Sequence, residues 1–106
     1  MNYVLKNLPV RTEKPRNTGF TMAMDKGLSL RETEDFVESC SDYVDIVKLG
    51  WATSFVTKKL KEKIAVYREA GIPVYFGGTL FEAFIVRGQF DDYRKVLDKF
   101  DMAFAE

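Results

Sequence analysis

Histidine is missing from this sequence altogether, and cysteine occurs once, at Cys40. Without histidine, the usual general base of neutral pH and the most frequent nitrogen ligand for a metal are both absent. Any chemistry therefore rests on carboxylates, lysines, arginines and backbone groups. A single thiol excludes an intrachain disulfide and cannot by itself build a zinc site. Net charge is missing too, since 16 Lys and Arg balance 16 Asp and Glu. That balance gives no support to a surface for nucleic acid or for an anionic membrane. No window is apolar for the length of a membrane span, and Met1-Asn-Tyr-Val-Leu-Lys6 lacks the apolar core of a signal sequence. The expectation is a soluble, cytoplasmic protein with no nucleic-acid and no membrane partner. Neither glycine fingerprint for nucleotide phosphates, GxxxxGKS/T or GxGxxG, occurs.

What remains is ordinary globular material. The chain has 106 residues, 46% hydrophobic and 30% charged, enough for one small domain. Residues 1–18 have little periodicity and read as an extended lead-in; residues 19–106 alternate apolar runs with helical patterns. Gly19–Met24 predicts a strand closed by the turn Asp25-Lys-Gly27. Ser29-Leu-Arg-Glu32 fits a capping box, opening a helix with Phe36, Val37 and Cys40 on its inward stripe. Tyr43–Gly50 predicts a second strand. After Trp51–Ser54 the pattern predicts a long helix with Val56, Leu60, Ile64 and Tyr67 on one face, ended by Gly71 at C′. Ile72–Phe76 predicts a third strand. Helical patterning from about Leu80, broken near Gly88, continues through Phe90, Tyr93, Leu97 and Phe100. Met102–Ala105 predicts a fourth short strand.

The order is βαβαβαβ. Strands apolar along their length suit parallel neighbours covered on both faces and joined by helical crossovers. Two α/β architectures fit, an open doubly wound sheet or part of a (β/α)8 barrel. A complete barrel takes roughly 250 residues, so this chain would hold less than half of one.

Ligands of parallel α/β folds sit at the carboxyl ends of the strands, where this sequence concentrates its polar groups. Asp25 and Lys26 follow the first strand. Lys48 lies near the end of the second, with Gly50, Trp51, Thr53 and Ser54 after it. Gly77, Gly78 and Thr79 follow the third, Glu82 comes one helical turn later, and Glu106 ends the fourth. Lys48 interrupts Ile46-Val-Lys-Leu49, where an uncompensated ammonium is expensive to bury. A lysine facing the mouth of the fold, with Asp25 or Glu82 nearby, resolves that cost; the bland alternative is a packed stem with its head in water. Gly77-Gly78 is a common turn, but it also exposes backbone N–H groups that can cradle an anion at a helix start. Asp25-Lys26 reads equally as a plain turn, Asp45 as structural, Cys40 as core, and Trp51 as core or a wall of the site. Arg11, Lys14 and Arg16 read as a solvated tail, or as guanidinium groups suited to phosphate or carboxylate.

Together, "KPRNTGFTMAMDKG", "DYVDIVKLGWATS", "LKEKIAVYREAGIPVYFGGTLFE" and the closing "FDMAFAE" resemble, in order and spacing, the N-terminal part of the phosphosulfolactate synthase family. The resemblance runs from about Pro9 to Glu106. It implies a (β/α)8 TIM barrel, of which this chain would be a truncated portion: three βα units plus a fourth parallel strand. It implies a lyase that joins sulfite to phosphoenolpyruvate with Mg2+, a step toward coenzyme M or sulfolactate. By the same resemblance Lys48, with Asp25 and Lys26, would be catalytic. Arg16 and Gly77-Gly78-Thr79 would bind substrate anions, and Glu82 and Glu106, with Asp25 as a further candidate, would hold the Mg2+. Two departures stand out. Ala52 replaces the family's usual glycine, and the family continues past the strand-4 glutamate with a Ser-Asp-Gly or Ser-Asn-Gly turn and four further βα units. A plant branch associated with heat stress supplies the alternative, a non-catalytic stress-associated or interaction protein on the same scaffold. A third expectation is a homo-oligomer in which two halves pair into one barrel.

Overall fold

The computed structural model describes all 106 residues. In chain order they form β1 (Met22–Asp25), α1 (Leu30–Cys40), β2 (Ile46–Leu49), α2 (Leu60–Glu69), β3 (Val74–Phe76), α3 (Gly78–Ile85) and α4 (Phe90–Lys99). The strands make one parallel sheet in the order β1-β2-β3. This is the alternating strand and helix order of a parallel α/β fold, consistent with part of a barrel.

Register decides which side chains can meet. Met24, Lys48 and Tyr75 are partners in one row across the sheet; Asp25, Leu49 and Phe76 form the next. Successive residues point to opposite faces, so the two rows face opposite ways. Val47, Leu49, Val74 and Phe76 pack against Ile64 and Tyr67 of α2, with Phe36 and Val37 of α1 beside them. On the other face Met22 and Met24 stay 45% and 38% exposed. The expectation of strands covered on both faces is therefore corrected: helices cover one face only. Only 17 of the 106 residues are buried, as a sheet with one bare face requires.

Local signals explain most boundaries. Ser29 and Glu32 form the reciprocal capping box that starts α1. Three helix ends share one geometry, a left-handed residue followed by a bond from the next N–H back to the helix. At α2, Gly71 has φ 74° and Ile72 N–H reaches Tyr67 O. Beyond α3, Gly88 has φ 67° and Gln89 N–H reaches Phe84 O. At α4, Asp101 has φ 51° and Met102 N–H reaches Leu97 O.

That last cap is why the expected fourth strand, Met102–Ala105, is absent. The Met102 N–H is spent on α4, and Arg68 holds the Phe100 and Asp101 carbonyls at 2.7 and 2.8 Å. The segment instead lays Phe104 against Tyr75, ring centroids 5.4 Å apart. The second expected helix is also shorter. Left-handed Trp51, Ala52 and Lys59 break the chain before Leu60, leaving Val56 outside the helix and 74% exposed.

Candidate functional site

Lys48 sits on the open face because its row partners are Met24 and Tyr75. Its ammonium therefore escapes the core that Val47 and Leu49 enter on either side. It lines a cavity of about 200 Å³ at the carboxyl ends of β2 and β3, together with Met24, Gly50, Trp51, Gly77, Gly78, Thr79, Glu82 and Glu106. Of the residues singled out in sequence, the fold thus gathers Lys48, the Gly77-Gly78-Thr79 turn, Glu82 and Glu106.

The partner of Lys48 is Glu106. Its nitrogen lies 2.9 Å from Glu106 Oε1 and 2.7 Å from Oε2, and the Gly78 N–H donates to Oε2 at 3.0 Å. Gly78 is the first residue of α3, so its amide points outward from a helix start, where negative charge is favoured. The bond from Lys48, with help from Gly78, holds the Glu106 carboxyl below its ordinary range, and the same pairing raises the Lys48 ammonium. Gly77 is required for this closeness. A Cβ there would stand 2.8 Å from Lys48 Cε and 3.3 Å from the Leu49 carbonyl oxygen.

Trp51 is not core: it is 64% exposed and walls the cavity, its backbone held at φ 59°. Ala52 follows at φ 57°, a conformation in which glycine carries no steric cost.

Asp25 is put to another use. Its row faces the helices, and its side chain is 1% exposed. Oδ1 accepts from Gly27 N–H, Leu28 N–H and Lys63 at 2.8, 2.9 and 2.9 Å; Oδ2 accepts from the Tyr67 hydroxyl at 2.7 Å. Burial alone would raise its pKa, but the bonds from Lys63, Tyr67 and the two amides outweigh it and hold the carboxyl below 3.8. Burial, then the hydrogen bond to Asp25 and its charge, push the Tyr67 phenol up. With its oxygens saturated from inside, Asp25 has no acceptor position left for substrate or metal.

Lys63, its ion-pair partner, was not singled out in sequence. The available signal was its place at helical spacing between Leu60 and Tyr67, on the apolar stripe.

Arg16 also lies elsewhere. It is 8% exposed at the opposite end of the sheet, donating to Asp45 Oδ1 at 2.6 Å and to the Thr12 carbonyl at 2.7 Å. Asp45 also takes the Thr21 N–H at 2.7 Å, and that bond leads the causes that lower its pKa. The basic lead-in is thus anchored to the start of β2 rather than free in solvent, and Arg16 is not part of the Lys48 cavity. Lys26 is exposed in a separate groove of about 610 Å³ between the start of α1 and the 53–59 loop.

The Mg2+ implied by the resemblance calls for oxygen donors. Glu82 and Glu106 share the cavity, but Lys48 already holds both Glu106 oxygens, and no three acidic residues converge. That leaves Glu82 as the carboxylate of this cavity outside any ion pair.

Residues 9–106 match the family model described as (2R)-phospho-3-sulfolactate synthase (ComA). The chain is 41% identical over 106 residues to a phosphosulfolactate synthase of Bacillus subtilis, covering all of this chain and 42% of the relative. It is 46% identical over 83 residues to a phosphosulfolactate synthase of Methanocaldococcus jannaschii, covering 76% of this chain and 33% of that one. One from Methanothermobacter thermautotrophicus is 40% identical over 87 residues, 80% of this chain and 34% of the relative. The chain spans less than half the length of each.

Proposed function

Because the chain belongs to the phosphosulfolactate synthase family, we propose that it forms part of a lyase that adds sulfite to phosphoenolpyruvate, giving phosphosulfolactate. The supporting observation is the convergence of the Lys48 ammonium and the Gly78 N–H on one carboxylate, in a cavity at the strand ends.

In this reaction the sulfite sulfur forms a bond to C3. The electron pair of the C2–C3 double bond moves into the substrate carboxylate, and a proton then adds at C2. Negative charge grows on the carboxylate as the bond forms, so fixed donors aimed at it lower the barrier. Lys48 and the Gly78 amide are such donors. Lys48 would neutralise that charge or donate the C2 proton. Thr79 and the exposed Glu82 line the same cavity and would contact the substrate. Magnesium, when bound, would supply Lewis-acid stabilisation of the same charge.

The test is to incubate the chain with phosphoenolpyruvate, sulfite and Mg2+ and follow the phosphorus resonance of phosphosulfolactate. A second sample uses the chain extended by the part of the Bacillus subtilis relative that its match leaves uncovered. Product in either sample is expected. Absence of product from a folded, extended chain rejects the reading.

A further inference from the structure

The geometry points to a carboxylate-specific subsite at Lys48 and Gly78, occupied in the free chain by the side chain of Glu106 and opened to a small carboxylic acid when Glu106 leaves. The inference rests on the proposed reaction for the identity of that acid, and it assigns which end of the acid sits here.

The argument begins with what Glu106 does. Its carboxylate bridges the Lys48 ammonium with both oxygens and takes the Gly78 N–H with one of them. Those are all its hydrogen bonds, and they are the contacts a bound carboxylate ligand would need. The two glycines lie against this carboxylate. A Cβ on Gly77 would come within 3.5 Å of Glu106 Oε2, and one on Gly78 within 3.6 Å of its carboxyl carbon. The cavity, about 200 Å³, has room for a three-carbon acid.

Glu106 is also placed to leave. Its side chain is 44% exposed, and residues 101–106 form no helix or strand. An ion pair this open to water is weakly held. The Tyr93 hydroxyl is buried without a hydrogen-bond partner, and after burial itself, the Glu106 charge is what raises its pKa. This arrangement makes Glu106 an internal competitor for the ligand. It is also at odds with Glu106 as a magnesium ligand, because the group beside it is a cation.

Removing the competing charge distinguishes the two roles. Amide spectra of the isotopically labelled 106-residue chain, and of its Glu106→Gln variant, are titrated separately with pyruvate, inorganic phosphate and sulfite. Pyruvate carries the carboxylate without the phosphate. Expected is a saturable shift of the Gly78 amide with pyruvate, and an affinity about tenfold tighter in Glu106→Gln, because the competent state is no longer shared with an internal occupant. Glu106 is exposed, so the variant keeps its fold, which the dispersion of the same spectra checks directly. Equal or weaker pyruvate binding in Glu106→Gln overturns the inference. So does a Gly78 shift produced by phosphate or sulfite but not by pyruvate, or by none of the three. Failure of the sulfite addition assay, with pyruvate still bound, removes the proposed reaction and leaves the carboxylate subsite standing.

Discussion

Asp25 and Lys63 meet 2.8 Å apart with 1% of each side chain exposed, and this pair ties the end of β1 to the middle of α2. The Lys63 ammonium also donates to the Leu28 carbonyl at 2.6 Å, so one buried charge pair fixes the whole β1–α1 turn. The backbone oxygen of Asp25 in turn takes the Gly50 N–H at 2.9 Å, linking that turn to the floor of the Lys48 cavity.

Removing one partner leaves the other charged and buried. Lys63→Met and Asp25→Asn are each expected to cost about 3–5 kcal/mol of folding stability. The double variant should cost clearly less than the sum of the two. Urea denaturation of the three variants measures this; simple additivity would mean that the two groups do not act as a pair.

The depressed Asp25 pKa has a defined consequence in acid. Above 3.8, the ordinary value, its full contribution to stability is present. As pH falls from there through the lower folded value, the unfolded chain binds the proton more readily and stability is lost. Tyr67→Phe removes one donor to the carboxylate, which raises the folded value, so that loss should be smaller and complete at a higher pH. Urea midpoints between neutral and strongly acidic pH test both statements.

Ala52 and Asp101 are among the side chains held in left-handed backbone, which glycine adopts without penalty. Ala52→Gly, at φ 57°, and Asp101→Gly, at φ 51°, should each stabilise the fold. About 1 kcal/mol is expected for each, or roughly 5 °C in Tm. A thermal melt in which either variant is less stable than the parent would refute this account of the loop and of the α4 cap.

The paired glycines should respond differently to alanine. Gly77→Ala forces Lys48 Cε and the Leu49 carbonyl aside, whereas Gly78→Ala meets nothing nearer than 3.6 Å and lies in a helix. Gly77→Ala should therefore destabilise the chain and abolish anion shifts at Gly78, while Gly78→Ala folds as well as the parent or better. Comparable melts for the two would contradict the packing described.

The order of strands and helices was legible because local signals carry it: a capping box at Ser29, glycines at helix ends, apolar runs of strand length. Lys48, the glycine turn and Glu82 were legible as neighbours because parallel strands deliver their carboxyl ends to one side. The fate of Asp25 was not, because one step along β1 turns a side chain from the open face to the helical face, and only register reveals which. Arg16 was misplaced for a related reason. Its partner Asp45 precedes β2 rather than following it, so the pair forms at the other end of the sheet. The missing fourth strand reflects competition for one amide, the Met102 N–H, between the α4 cap and a ladder.

The most direct test of the central role given to Lys48 is the rate of phosphosulfolactate formation by the extended chain, with and without Lys48→Met. Circular dichroism should first establish that both are folded. The account predicts that Lys48→Met lowers turnover by at least about a hundredfold, the loss expected when a donor to a developing anion is removed. Turnover equal to that of the parent would contradict it.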